Sequence, residues 1–264
     1  MKLKESFAKL DRKLGRYGFS PLRLLRTIRG LPLYRRELRD FKAMLGESTE
    51  WTFGEPFPCL DNKVGDAGVG SSHYFHQDLL VARRIFERNP RRHIDVGSRI
   101  DGFVAHVAAF RQLEIIDIRP LKIQIPNVKF IQMDLMNPPD NNANICDSLS
   151  CLHVLEHFGL GRYGDTIDPD GYKTGMANLA RMLSPGGIFY FSVPIGPQRI
   201  EFNAHRVFGI QHLLDLFGQN GLSVSAFSYV RDQGDLVENV ELSAALISSN
   251  CGVWHGCGIF ELRK

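Results

Sequence analysis

The 264-residue sequence contains no run of the roughly 18 to 20 apolar residues that a membrane-spanning helix needs. Its five cysteines, Cys59, Cys146, Cys151, Cys251 and Cys257, are odd in number, and no pair has C-x-x-C spacing. Neither a disulfide framework nor a zinc ribbon is suggested. Cys251, His255 and Cys257 cluster in CGVWHGC, but that spacing fits no common zinc pattern, so no metal is expected. Internal repeats and low-complexity tracts are absent. The opening MKLKESFAKL lacks an apolar core and a small-residue cleavage site, so it does not read as a secretory signal. The expectation is a cytoplasmic protein.

Acidic residues are scarce in one region. Residues 1–42 hold 13 Lys and Arg against 4 Asp and Glu, whereas 43–264 hold 19 against 25, so the net charge of +3 hides a basic arm on a mildly acidic body. The arm spaces Leu3, Phe7, Leu10, Leu14, Leu22, Leu25, Ile28, Leu38, Phe41 and Leu45 at roughly helical intervals among its basic residues. Pro21, Gly30 and Pro32 are expected to cut it into two or three short helices. Three readings stay open: the arm packs its apolar stripe on the body, it lies on an anionic membrane surface or a partner, or it binds nucleic acid. No aromatic-interleaved basic motif supports the last. The expected organisation is a helical extension over 1–45, a Gly-, Pro- and Asp-rich connector over 46–75, and a domain over 76–264.

HYFHQDLLVARRIFERNP reads as the helix leading into that domain. From His93 onward, strand and helix signals alternate as in a parallel α/β sheet. RHIDVG, LEIIDI, VKFIQMDL, NICDSLSCLHVL and GIFYFSVP read as strands, the last opened by the turn Pro185-Gly186-Gly187. DGFVAHVAAF, YKTGMANLARML and IQHLLDLFGQNG read as helices. LSVSAFSYV and CGIFELRK read as a closing β pair at one sheet edge.

In such a sheet a ligand sits beyond the carboxyl ends of the strands. Four places put suitable residues there. Asp95-Val96-Gly97-Ser98 ends the first strand, and a glycine there lets backbone approach a ligand closely. Asp117 ends the second strand twenty positions beyond Gly97, where a carboxylate can accept both hydroxyls of a ribose. Asp134 ends the third, where a carboxylate can accept from an adenine amino group and Met133 and Leu135 can flank the ring. His153, Glu156 and His157 end the fourth, followed by the Gly- and Asp-rich FGLGRYGDTIDPDGY, which looks like a catalytic mouth.

These positions, in order, resemble the class I S-adenosylmethionine-dependent methyltransferase superfamily over about residues 75–264. HVLEH followed by RMLSPGGIFYFSVP is the most specific match. HFGLGRYGDTIDPDG and FNAHRVFG further resemble a bacterial and nematode family of unknown function, domain of unknown function 268, itself placed by similarity in that superfamily. The resemblance implies a Rossmann-like fold with a seven-stranded, mostly parallel sheet and an antiparallel edge strand. It implies S-adenosyl-L-methionine as cofactor, held by Asp95, Gly97, Ser98, Asp117, Ile118, Asp134, Leu135 and His153. An oxygen acceptor would need a base, and the candidates are His157, His205, Glu156 and Asp165. His157 is preferred because it follows the fourth strand, and His205 comes second. Arg162, Tyr163 and Arg206 could hold a polar acceptor.

The sequence departs from the superfamily in one place. Arg99 and Asp101 stand where D-x-G-x-G-x-G has its second and third glycines. Arg99 could pair with the cofactor carboxylate or block it. The fourth strand also lacks the N/D-P-P-Y run of many amino-group methyltransferases, which argues against nucleic-acid and protein N-methylation. The expected acceptor is a sugar, a lipid-linked glycan or a small molecule, at the inner membrane surface if the arm docks there. A catalytically inactive scaffold is the rival reading. A dinucleotide-dependent dehydrogenase would explain Asp117 but not HVLEH or SPGG.

Overall fold

A computed structural model describes residues 10–11, 13–45, 55, 58, 60 and 72–264. The chain divides into two compact units, Met1–Val69 and Gly70–Lys264. Most of the expected connector, with Leu3, Phe7 and Cys59, lies outside the described residues.

In the first unit, α1 (Pro21–Leu45) is one helix of 25 residues that contains Pro32. Gly30 and Pro32 do not divide it, contrary to expectation. Pro21 starts it, where a missing N–H costs nothing. Ser20 precedes it, its Oγ accepting from Arg23 N (3.1 Å) and donating to Asp11 (2.8 Å), and Asp11 also accepts from Leu22 N (2.8 Å). Side-chain oxygens thus take the orphan amides of the first turn. Leu24, Ile28 and Met44 are exposed among the arginines. No helix among the described residues is long and apolar enough to cross a membrane.

The second unit opens with α2 (His73–Arg88), capped by Ser72 Oγ on Phe75 N and ended by Asn89 in the left-handed conformation. Then come β1 (His93–Val96), β2 (Leu113–Asp117), β3 (Val128–Gln132), β4 (Cys146–Leu152), α4 (Gly171–Met182) and β5 (Leu183–Ile195). A hairpin of β6 (Arg199–Glu201) and β7 (His205–Val207) follows, then α5 (Ile210–Gln219), β8 (Ser223–Val230), β9 (Leu236–Val237), α6 (Ala244–Ser248) and β10 (Gly256–Arg263). Between β1 and β2, α3 is only Ala105–Ala108, preceded by a wide turn over Ile100–Val104. The expected helix DGFVAHVAAF is broken because Gly102 takes φ −121°, ψ −111°. A Cβ there would stand 2.6 Å from Asp78 Oδ2.

The main sheet has the order β3-β2-β1-β4-β5-β10-β8-β9. Strands β1 to β5 pair in parallel, while β10 runs antiparallel to both β5 and β8. The fold is the expected Rossmann-like α/β sheet, with eight strands rather than seven because the two-residue β9 adds an antiparallel edge. The β8–β10 pair forms as expected, but β10 lies inside the sheet.

Alternation along the strands makes two cores. Ile94, Leu149, Phe191 and Phe260 face α4 and α5 with Met176, Leu213 and Phe217. Leu152, Tyr190 and Ile259 face α2 with Leu80, Val81 and Ile85. Buried Glu261 of β10 pairs with Arg84 (3.2 Å) and Arg88 (2.5 Å), tying α2 to the sheet.

Candidate functional site

The strand order reverses between β1 and β4. Chain leaving β1 returns on one side of it while β4 lies on the other, so the carboxyl ends part and leave a crevice. A cleft of about 580 Å³ opens there. It is lined by Gly97 after β1, Asp117 and Ile118 after β2, Met133, Asp134 and Leu135 after β3, and His153, Val154 and His157 after β4, with Phe158, Tyr163 and Asp165 from the loop that follows.

Gly97 has φ +67°, and a Cβ on it would meet Val154 Cγ1 at 2.7 Å. Glycine therefore lets the β1 and β4 ends touch, and the contact it serves is with Val154. Asp95 is fully buried and does not line the cleft. Its Oδ1 accepts from Ser98 Oγ (2.8 Å) and Ser150 Oγ (2.5 Å), and its Oδ2 from Ser98 N (3.3 Å). With its hydroxyl given to Asp95, Ser150 accepts from His93 Nε2 (3.1 Å), and His93 Nδ1 meets Ser148 Oγ (2.8 Å). Burial pushes Asp95 up to about 7, against the pull of Ser150 and Ser98, and pushes His93 down to about 3. Asp95, expected at the cofactor, is an internal strut joining β1 to β4.

Asp117 is already held. Arg119 donates Nη2 to Oδ2 (2.8 Å) and Nε to Oδ1 (3.1 Å), and its backbone N also reaches Oδ1 (2.8 Å). The same guanidinium lies 4.4 Å from the ring centroid of Tyr163, whose other cationic neighbour is Arg162 at 5.1 Å. Asp134 closes an Asx turn, Oδ1 accepting from Met136 N (2.9 Å), and Oδ2 has no hydrogen bond among the described residues. Arg99 pairs with Asp101 at the surface (2.8 Å) and lies over Tyr74 (5.3 Å). It borders an adjoining depression, with Ser98, and does not fill the cleft.

After β4 the chain makes a single 3-10 turn, Leu155–His157. His153 precedes it with φ +56°, uncommon for a residue with a side chain. Its Nδ1–H donates to Glu156 Oε1 (2.8 Å), and its ring stacks on His73 (5.4 Å, 7°). Burial opposes charge on both partners, yet Glu156 is held below the usual carboxylate range by His153, and His153 is pushed well up by Cys257 and Glu156. His73 is drawn down to about 4 by burial and by His153 and His255. His157 donates Nδ1–H to Ala204 O (2.7 Å), so Nε2 carries the lone pair, 3.8 Å from Glu156 Oε1. Burial lowers its pKa, leaving the ring neutral at pH 7.

The structure thus brings His157 to the cleft and puts Glu156 behind it, buried between two imidazoles. Two expected roles change. Asp165 Oδ2 accepts from Gly159 N (2.8 Å) and Gly161 N (3.1 Å), and Oδ1 from Tyr163 N (3.1 Å), so it organises the loop and is no free base. Arg206 is buried, does not line the cleft, and donates to Phe158 O (2.6 Å), Glu156 O (3.4 Å) and Pro169 O (3.1 Å), clamping both ends of the loop. His205 sits on the hairpin beside Glu201 (3.4 Å) and His255 (5.0 Å), outside the cleft lining. Sequence reading missed Arg119 and His73. An arginine two residues after the acidic strand end is a local signal for the first, whereas His73 comes from a distant helix and carries none.

No curated protein matches the chain. Among solved structures it is similar to the [4+2]-cyclase SpnF, with a TM-score of 0.53 and 15% identity over 75% of this chain and 85% of that one. It is similar to the N-methyltransferase NodS of Bradyrhizobium japonicum WM9, at 0.51 and 14% over 74% and 99%. It is also similar to the O-methyltransferase from a trans-AT PKS multienzyme of Brevibacillus brevis, solved with S-adenosyl-L-homocysteine, at 0.51 and 15% over 72% and 71%. At such identities these likenesses establish the fold. The family model described as "Caenorhabditis protein of unknown function, DUF268" matches residues 110–246, more than half of the sequence, and the chain belongs to that family.

Proposed function

We propose that the protein is an S-adenosylmethionine-dependent methyltransferase that methylates a hydroxyl of a small molecule or glycan. The observation that carries this is the cleft at the β1/β4 switch point, with Asp117 and Asp134 at successive strand ends. The residues fit the cofactor's chemistry. A carboxylate offers about four lone-pair sites. Asp117 gives three to Arg119 and keeps one for a ribose hydroxyl, and Asp134 Oδ2, without a hydrogen bond among the described residues, is open to an amino group. Ile118, Met133, Leu135 and Phe158 supply apolar walls for a flat ring. When bound, S-adenosylmethionine supplies an already activated methyl group on a sulfonium.

The chain's own work is then positioning and proton removal. His157 is the base: its Nδ1–H is fixed on Ala204 O, so Nε2 can take the hydroxyl proton. Glu156 beside it would stabilise the imidazolium that results. Tyr163, on the loop clamped by Arg206 and backed by Arg162, forms the outer wall. The basic helix α1, with exposed Leu24, Ile28 and Met44, suits an anionic membrane surface and hence a lipid-linked glycan acceptor. Binding of the intact protein, but not of a variant lacking residues 1–45, to anionic vesicles tests that part.

The first experiment is calorimetric titration with S-adenosylmethionine and S-adenosylhomocysteine, with Asp117→Ala as control. Micromolar binding lost in the variant supports the reading and opens an acceptor screen. A second reading, a non-catalytic binding protein, is favoured by the Arg119 grip on Asp117 and by Arg99 and Asp101 in the glycine turn. Absence of binding by folded protein would establish it over the first.

A further inference from the structure

His153 presents an anomaly that methyl transfer does not use. Its side chain is 6% exposed, and Nδ1–H is committed to Glu156 Oε1 at 2.8 Å. The opposite ring atom, Nε2, is buried with no hydrogen-bond partner among the described residues. A buried, unpartnered imidazole nitrogen is costly unless something fills the place. His73, from the first turn of α2, and Cys257, from the start of β10, face the same spot. One ligand atom from each of the three lies within 4.8 Å of the others.

We propose that His73, His153 and Cys257 bind a divalent transition-metal ion of the zinc type. Two imidazoles and a thiolate are the donor set that such an ion prefers over magnesium or calcium. A tetrahedral zinc ion with nitrogen and sulfur ligands holds its donors about 3.3 to 3.6 Å apart, as follows from bond lengths of roughly 2.0 to 2.3 Å. The observed donors, within 4.8 Å of one another, have to draw together by up to about 1.5 Å to reach that spacing. The Glu156 contact fixes the tautomer that leaves Nε2 free to ligate, the outer-shell carboxylate arrangement that metal-binding histidines use. On binding, Cys257 ligates as the thiolate and His153 through the lone pair of a neutral ring, so the protons held on Cys257 Sγ and His153 Nε2 go to solvent as the metal–sulfur and metal–nitrogen bonds form, with no change of oxidation state.

The three residues come from α2, the end of β4 and β10, so spacing in the sequence could not show them. They converge at the carboxyl edge of the parallel strands, and His153 also lines the cleft. Three protein ligands leave a fourth position for water or for an oxygen or nitrogen of a molecule in that cleft. Glu201, His205 and His255 form a neighbouring triad. Its residues are only partly buried, and Glu201 already pairs with Arg199 (2.9 Å). The inference does not depend on methyl transfer and is tested without it.

The test is titration of the full-length, chelator-stripped protein with Co²⁺ under reducing conditions, followed by near-ultraviolet and visible absorption, with Zn²⁺ as competitor. One equivalent should saturate the protein and give a thiolate-to-cobalt charge-transfer band. Cys257→Ser should lose the band, His73→Asn should bind Co²⁺ at least about a hundredfold more weakly, and Glu156→Gln about 10 to 100-fold more weakly with the band retained. Circular dichroism of each metal-free variant confirms folding, and His255→Asn should bind like the wild type. No saturable binding by the folded wild type, a band that survives in Cys257→Ser, or loss of binding only in His255→Asn would each overturn the assignment.

Discussion

Arg119 grips Asp117 with two side-chain nitrogens, at 2.8 and 3.1 Å. The face of the same guanidinium lies over Tyr163 at 4.4 Å, so one arginine connects the end of β2 to the loop after β4. A bidentate arginine aims the carboxylate as well as neutralising it. Arg119→Ala should therefore weaken S-adenosylhomocysteine binding about tenfold, near 1.4 kcal/mol, even though it removes a competitor for Asp117. It should also speed amide exchange in the loop over 159–166. Tighter binding in calorimetry would show that Arg119 blocks the site.

His157→Asn should lower kcat by about 10² to 10⁴ with little change in cofactor affinity. Burial lowers the pKa of His157 in the folded protein, so wild-type kcat/KM should fall on the acid side with an apparent pKa below 6.5. That limb should vanish in the variant. A pH–rate profile on any methylated acceptor measures both.

Asp95 gives a stability prediction with a definite sign. Its folded pKa is about 7 against 3.8 ordinarily. Between those values the unfolded chain has released the proton while the folded protein retains it, so stability falls as pH rises through this window. The unfolding free energy of the wild type relative to Asp95→Asn should thus decline from about pH 4 to about pH 7, by up to about 4 kcal/mol. Denaturant melts across that range would reveal it, and a flat difference would mean that Asp95 stays ionised.

Gly97→Ala should destabilise the domain by about 1 to 3 kcal/mol, because φ +67° and the 2.7 Å approach to Val154 both resist a Cβ. Gly218→Ala, in α5 and open to solvent at its Cβ position, should be neutral or slightly stabilising. Chemical denaturation of the pair separates a special backbone site from a generic glycine effect.

The parallel half of the sheet was legible because buried strands read as short apolar runs between turns. The cleft residues were legible because strand ends are marked by the turns that follow them. Legibility failed where long-range partners decide. Asp95 and Asp165 are acidic residues at expected positions, but Ser150 occupies the first and three backbone amides occupy the second. Arg206 reads as a ligand-binding cation, and only the folded chain shows its three carbonyl partners. In α1, the helix continues through Gly30 and Pro32 where their local propensities predict a break.

The placement of β10 bears on how the chain is made. It follows β8 in sequence yet lies between β8 and β5. During synthesis, therefore, β5 emerges with one flank unpaired, and β8 can pair with β9 but cannot join the rest of the sheet until β10 leaves the ribosome. An unpaired edge of a sheet invites pairing with other chains. The nascent protein thus passes through a window in which its aromatic-rich β5, with Phe189, Tyr190 and Phe191, presents an open edge to other chains. Stalling before Gly256 would hold it in that state.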